Sequence, residues 1–597
     1  VPVELFGGTE FPPVGDLPYL VTLAPYGFYW FALSPQPTPA PRALPSFRTE
    51  QRWTEVLTGR QLTRLQQALG PYLSAQRWFR DKARGVRSVS VADAVPLEGL
   101  APAAAGDPDR DDAGQPGPVL AVLHVELREG EPETYLLPLA WWPGSRGEEL
   151  HRYHPEAVVA ELTVGERHGY LVDAARDERA SRALVAQVGR RRQVPGRHGA
   201  LAGVPAPPAR RLLGGALEAP ARLVGGDQSN TSVVLGDQVV AKLVRQPQPG
   251  THPGVEVGRF LAERARFPHS PAVVGSLEYR PAAGEPMTVL TVEEYRANEG
   301  DGFSYVVDAL RHGLEQAAAH PEELEHLRLA EGHVGQLAVS DHAVPDHWLI
   351  GPHLEWATLL GQRTAELHRA LASDPEHPAF APEPLTATDR QAMYQASRAL
   401  LRRTLRQLRA LPDRHPLVDE VLGAEHRILA ALRPLAINRV EAPRIRCHGD
   451  YHLGQVLWTG KDFVIIDFEG EPARSLTYRR IKRPALTDVA GMVRSFHYAG
   501  QLAAAQVAEQ LGTGGGPDGL QGAVTLWYQA VAVVFLRAYL EVAGPARVVP
   551  PPEQLPLLLD FLLLDKAIYE LGYEANSRPE WTWVPAAGVL ELLADQP

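Results

Sequence analysis

One stretch constrains the chain more than any other: Arg444 to Pro472, RIRCHGDYHLGQVLWTGKDFVIIDFEGEP. It reads as a strand entering a polar loop, then two short apolar strands joined by a turn, then an acidic end. Ile445 to Cys447 leads in, and His448, Gly449 and Asp450 open the loop. Gln455 to Trp458 runs out of it, Thr459 to Asp462 has hairpin-turn chemistry, and Phe463 to Ile466 is an apolar run suited to a buried strand. Asp467, Phe468 and Glu469 stand at its end. Two carboxylates and an amide on neighbouring strand ends suit phosphoryl transfer. One carboxylate takes or orients the proton of an attacking hydroxyl, while a second carboxylate and an amide oxygen hold magnesium. Asp450 fits the first task; Gln455 and Asp467 fit the second. A solvated hairpin has no reason to gather His, Asp, Gln and Asp beside apolar strands.

The spacing resembles the kinase catalytic loop followed by a strand that ends in a metal-binding Asp. The HGDYHLGQ loop is similar to that of the aminoglycoside-phosphotransferase-like small-molecule kinases. Within that group, HGDYHLGQ, IDFEGEP and the later DVAGMVRSF (Asp488 to Phe496) resemble maltokinases, which make maltose 1-phosphate from maltose and ATP. The resemblance implies an α+β, two-lobed protein-kinase-like fold with an N-terminal α+β cap domain. It also implies ATP and Mg2+ as cofactors, and Asp488 as an organiser of the catalytic loop.

Composition bounds the alternatives. The chain has 597 residues, room for several domains, and its 45% hydrophobic and 22% charged content is that of globular proteins. A net charge of −12 argues against a nucleic-acid binder but leaves room for a nucleotide, which needs only local positive groups. Cys447 is the sole cysteine, so no intrachain disulfide can form; this suits a reducing cytoplasm, and the residue itself reads as core. The apolar runs Val524 to Leu540 and Leu555 to Leu564 are interrupted by Gln529, Arg537 and Asp560, so they read as buried helices and no membrane span is expected. No signal peptide is expected at Val1, and the lack of an initiating Met suits a piece of a longer protein. Lysines number only five: Lys82, Lys242, Lys461, Lys482 and Lys566. Where arginine carries nearly all the positive charge, a lysine inside an apolar strand invites a chemical reason.

Residues 1–45 read as short strands, with aromatics at Phe28 and Trp30 ahead of Leu33, followed by a Pro/Ala linker from Ser34 to Pro45. The strands resemble the end of the C-terminal β-domain of a trehalose synthase, which implies a synthase–kinase fusion. Residues 46–205 are expected to form the cap, with a helix over Trp53 to Leu69 and strands over Val86 to Val91, Val119 to Leu127 and Glu133 to Leu139. Its RWFRDKAR segment, Arg77 to Arg84, is similar to a maltokinase segment that usually has glycines where Arg80 and Asp81 stand here. The Gly/Pro/Asp-rich run Ala101 to Gly117 reads as a loop. The cap reads as a lid near the nucleotide, an oligomer contact or a plain appended domain.

Residues 206–300 are expected to form the kinase N-lobe. The tip VGGDQSNTS, Val224 to Ser232, would let backbone N–H groups approach phosphates, with Gln228, Ser229, Asn230 and Thr231 as candidates; it would equally serve as a plain turn. Lys242 lies in the apolar run Val239 to Val244, the setting of the kinase lysine that meets the α/β-phosphates. Glu256, on a helix from Thr251 to about Ala265, falls where the glutamate pairing that lysine would lie. A strand over Met287 to Tyr295 ends where an adenine-facing hinge is expected, at Glu294.

Residues 301–597 are expected to form a mainly helical C-lobe. Asp301 to Ser304 reads as a helix start, Leu354 to Leu371 as a helix with a structural His368, and Thr388 to Leu432 as two more helices. Thr487-Asp488 reads as the N-cap of the next helix, and Gly512 to Gly516 as a linker. The cationic run Pro472 to Pro484 could bind phosphate or a polyhydroxy substrate, or only screen the carboxylates. Lys566, Tyr569, Glu570 and Tyr573 resemble the maltokinase C-terminal signature, with Tyr569 and Tyr573 one helical turn apart.

These readings assign Asp450 as base or orienter, Gln455 and Asp467 to magnesium, and Lys242 with Glu256 to ATP. Sugar contacts are expected from His448, His452, Glu469, Arg474, Tyr478, Tyr569 and Tyr573. The implied partners are maltose and a trehalose synthase, with no nucleic acid and no membrane. A kinase for another small alcohol, such as an aminoglycoside or amino sugar, keeps the same catalytic set. A silent scaffold for the synthase is the remaining alternative, but such a module needs no complete Lys, Asp, Gln and Asp set.

Overall fold

The computed structural model describes residues 2–4, 31–33, 44–97, 114–190, 192–224, 230–323, 332–472, 474–511 and 520–594. Pro2–Glu4 and Phe31–Leu33 pair antiparallel. The rest of the N-terminal β-segment, with Phe28 and Trp30, lies outside the described residues, as do the linker run Gly512 to Gly516 and most of the Ala101 to Gly117 run.

The cap is a six-stranded sheet in the spatial order Ser46–Thr49, Val158–Val164, Gly169–Asp173, Glu133–Pro143, Val119–Leu127, Val86–Pro96. The expected helix begins later than the periodicity suggests: Trp53–Leu57 is a 3-10 turn, and the α-helix runs Gly59–Ala75. The strand Val119–Leu127 is apolar along most of its length because both of its faces are covered. Val119, Ala121, Leu123, Val125 and Leu127 pack under Leu65, Leu69 and Tyr72 of the helix. Leu120 and Val122, on the other face, join the N-lobe core with Leu201, Leu277 and Leu290. The cap therefore shares a core with the neighbouring sheet rather than hanging from it.

The N-lobe sheet has seven antiparallel strands in the order Ala221–Leu223, Thr231–Leu235, Val239–Leu243, Met287–Glu294, Val273–Pro281, Gly199–Pro205, Val194–Pro195. The last two were expected in the cap. Gly199 to Pro205 instead pairs with Pro281 to Gly275, which places these residues in the seven-stranded sheet. GALAGVP is too rich in Gly and Ala to read as a strand; the ladder to Val273–Pro281 recruits it.

In the C-lobe, Thr388 to Leu432 holds three helices rather than two: Ala387–Arg409, Pro416–Gly423 and Glu425–Ile437. His415 caps the second through Nδ1, and Pro416 occupies its first position, where a missing N–H costs nothing. Four further long helices, Gly351–Leu371, Leu486–Gln510, Gln521–Ala543 and Leu555–Ser577, enclose one apolar core. Gln521–Ala543 is long and apolar enough to cross a membrane, but Trp527, Phe535 and Tyr539 are buried in that core. The hairpin Val456–Trp458 with Phe463–Ile465 is edged by Gly300–Asp301. Asp301 caps the following helix by accepting the Ser304 N–H, as its sequence suggests.

Candidate active site

The loop carrying Asp450 is held from below. The Asp488 carboxylate accepts the N–H groups of His448 (2.7 Å) and Gly449 (2.9 Å). His368 Nε2 lies 3.1 Å from the same carboxylate, and His368 Nδ1 meets the Tyr539 hydroxyl at 2.9 Å. Burial works against ionised Asp488, but His368 and the loop amide outweigh it and hold the carboxyl below its usual range. Asp488 is thus not the N-cap expected for its helix. The helix starts at Leu486, and Asp488 turns from its first turn to the loop. Gly449 has φ +87, a conformation that favours glycine and turns the chain over Asp488.

His448 is buried and was expected on the substrate. Its Nε2 instead donates to the Ile466 carbonyl at 2.8 Å, tying the Asp450 loop to the strand that ends at Asp467. His452 turns its Nδ1 to the Gly454 N–H at 3.1 Å, closing the turn Leu453–Gln455. The Ile466 N–H donates to the Gln455 carbonyl at 3.0 Å, so Gln455 and Asp467 flank one rung of the hairpin. Asp467 adopts φ +67, rare for a residue with a side chain and a form of backbone strain common at functional sites.

Across the cleft, Lys242 sits opposite Ser232 and Thr291 in the N-lobe sheet, and its Nζ lies 2.9 Å from Asp467 Oδ1. Burial raises the Asp467 pKa; Lys242 opposes the rise and Glu469 adds to it. The expected Lys242–Glu256 pair is not formed. Glu256 instead accepts from Arg446 at 2.8 Å and from Arg480 at 2.6 and 3.0 Å. Two C-lobe guanidiniums, one of them fully buried, take the glutamate that a lone lysine was expected to hold. Glu469, also expected on the sugar, is buried; Oε1 accepts from Asn230 Nδ2 at 3.0 Å, and Oε2 lies 3.7 Å from His252. It joins the lobes rather than lining an open pocket. Glu294 reaches Arg211 and Arg296 at the surface, and its N–H is taken by the Ala272 carbonyl.

Gln228 and Ser229 lie outside the described residues. The Thr231 hydroxyl accepts from Arg245 Nε at 2.9 Å. Arg245 is buried, pairs with Asp173 at 2.8 Å and lies over the Trp78 ring at 4.4 Å, so cap residues support the end of this tip. Arg80 and Asp81, where the family usually has glycine, serve the same seam. Arg80 donates to the Pro472 carbonyl at 3.0 Å, and Asp81 accepts from Tyr135 (2.6 Å) and Gln246 (3.2 Å).

On the acceptor side, Lys566 Nζ stands 3.9 Å from Asp450 Oδ1 and 5.0 Å from the Tyr569 ring centroid. Arg474 lies over Tyr569 at 5.8 Å and over Tyr478 at 4.8 Å, while Arg483 takes Tyr478 at 4.3 Å. Tyr573 is exposed one turn beyond Tyr569. The sequence marks Lys566 as one of few lysines and as part of a signature, but gives it no role; its approach to Asp450 across 116 positions is a tertiary fact.

Residues 220–470 match the phosphotransferase enzyme family, residues 72–177 the maltokinase N-terminal cap domain, and residues 1–30 the maltogenic amylase C-terminal domain. A glucosamine kinase of Streptacidiphilus jiangxiensis is 28% identical over 380 residues, 62% of this chain and 73% of that one. A trehalose synthase of Pimelobacter sp. (strain R48) is 68% identical over 34 residues, 6% of each chain. A glucosamine kinase solved with glucosamine, ADP and inorganic phosphate covers 88% of this chain and 99% of its own with a TM-score of 0.53; at 20% identity this is a likeness of fold. The family matches and the fold support a sugar kinase of the phosphotransferase type. The cap matches that of maltokinases, and the segment at the start of the chain is similar to the end of trehalose synthases.

Proposed function

We propose that this protein transfers the γ-phosphoryl group of ATP to the anomeric hydroxyl of maltose, giving maltose 1-phosphate and ADP. Asp450 accepts the hydroxyl proton as the sugar oxygen bonds to phosphorus and the bond to the ADP oxygen breaks. Lys242 meets the phosphates from the N-lobe. Gln455 and Asp467 would hold magnesium. Their hard oxygen donors suit an ion that keeps several waters. Bound there, magnesium would neutralise phosphate charge.

The choice of a neutral sugar rests on one observation: the Lys566 ammonium beside Asp450. An amino sugar bound with its amine near that carboxylate would bring a second cation beside Lys566. At 4 Å two like charges repel by about 1 kcal/mol in water and about 4 kcal/mol at a protein surface. Glucosamine is the second reading, favoured by the names of the relatives. ADP release with each sugar separates the two: faster turnover of maltose supports the proposal, and faster turnover of glucosamine reverses it. The segment at residues 1–33 supports a partnership with trehalose synthase, and an ATP-consuming reaction suits the cytoplasm.

A further inference from the structure

The acceptor side of the site is built on two helices joined by a buried ion pair. The Leu486–Gln510 helix carries Asp488, which holds the Asp450 loop, and lies flush against that loop: a Cβ on Gly491 would sit 2.5 Å from the Tyr451 carbonyl oxygen. Six residues on, about 9 Å along the axis, the same helix presents Arg494. Arg494 is 1% exposed; its Nε donates to Glu570 Oε2 at 2.9 Å, and Nη2 lies 2.9 Å from the same oxygen. Gly588 packs on the guanidinium so closely that any side chain there would collide. Glu570 belongs to the Leu555–Ser577 helix, one turn after Lys566, whose Nζ reaches Asp450 at 3.9 Å. A second contact follows one turn later, where Glu574 accepts from Tyr498 and Arg578.

The contacts close a ring: Asp488 to the Asp450 loop, Asp450 to Lys566, along the helix to Glu570, and through Arg494 back to Asp488. We infer that Arg494, acting through Glu570, is a positioning residue that sets where Lys566 stands beside Asp450. A buried charged hydrogen bond resists sliding of one helix along the other, because a displaced guanidinium finds no water. The inference rests on the phosphotransfer reading of the site for its consequence, and on geometry alone for the placement of Lys566.

The experiment compares Glu570→Gln, Arg494→Lys and Arg494→Met in the full chain, with and without Lys566→Met. Glu570→Gln keeps shape and a hydrogen-bond acceptor, so it stays informative if Arg494→Met does not fold. The expected result is a rise of about tenfold in sugar KM for Glu570→Gln, with ATP KM changed less than about twofold. Arg494→Lys should recover part of the loss. In the Lys566→Met background the rise should shrink below about twofold, since the effect runs through that lysine. An unchanged sugar KM, or effects that add to Lys566→Met, would overturn the proposal. Amine-reactive labelling of Lys566, read by mass spectrometry, needs no turnover: Glu570→Gln should change its rate, and an identical rate overturns the placement whether or not the protein phosphorylates maltose.

Discussion

Lys242 and Asp467 meet at 2.9 Å across the cleft, an N-lobe ammonium resting on the carboxylate at the end of the catalytic hairpin. Glu256 stands apart, held by Arg446 and Arg480. Lys242 and Glu256 should therefore answer differently to mutation. Lys242→Met should lower kcat/KM for ATP by about a hundredfold while the sugar KM moves little.

Glu256→Gln should act mainly on stability. Arg446 is 1% exposed, and a buried ion pair that loses one partner costs about 3–5 kcal/mol. Chemical denaturation should show that loss, with ATP KM near wild type. A large rise in ATP KM at wild-type stability would mean that Glu256 serves Lys242 after all.

Leu120→Ala tests the shared core of cap and N-lobe. The side chain is fully buried with Leu201 and Leu277, so truncation should cost about 2–5 kcal/mol. Near-ultraviolet circular dichroism and loss of kinase turnover should shift together on heating. A cap that melts alone, with turnover intact, would contradict the common core.

The fold also carries a pH dependence away from the cleft. His353 is 3% exposed, accepts the Trp356 indole N–H at 3.2 Å, and burial pushes its pKa down to about 4. Between that value and its ordinary 6.5 the unfolded chain binds a proton that the folded chain refuses, so stability rises with pH across this window. Its contribution is complete above pH ~6.5 and lost as pH falls to about 4; between pH 7 and 5 the loss is about 2 kcal/mol. His353→Gln, which keeps an acceptor for Trp356, should remove that part of the difference in urea titrations at the two pH values.

The catalytic hairpin was legible because its chemistry is local. His448, Asp450, Gln455 and Asp467 lie within one short stretch, and the turn Thr459 to Asp462 and both strands fall where turn residues and apolar runs place them. Partners from distant segments were not legible. A glutamate at the kinase-like position suggests Lys242, but which cation Glu256 meets depends on how the helix Pro253–Arg259 faces the C-lobe. His448 and Glu469 look like open-site residues in sequence, while packing buries both and gives them neighbours to hold. The strand Gly199–Pro205 escaped notice because its pairing, not its side chains, makes it a strand. Lys566 is beside Asp450 only because two helices bring it there.

Phosphorus NMR of the protein with magnesium-ATP and maltose tests the central claim most directly. The account predicts a new anomeric sugar-phosphate signal growing with ADP, absent in Asp450→Asn with ATP binding retained. No such signal, while glucosamine or another alcohol yields ADP, would contradict the maltose assignment, and a signal undiminished in Asp450→Asn would contradict the site.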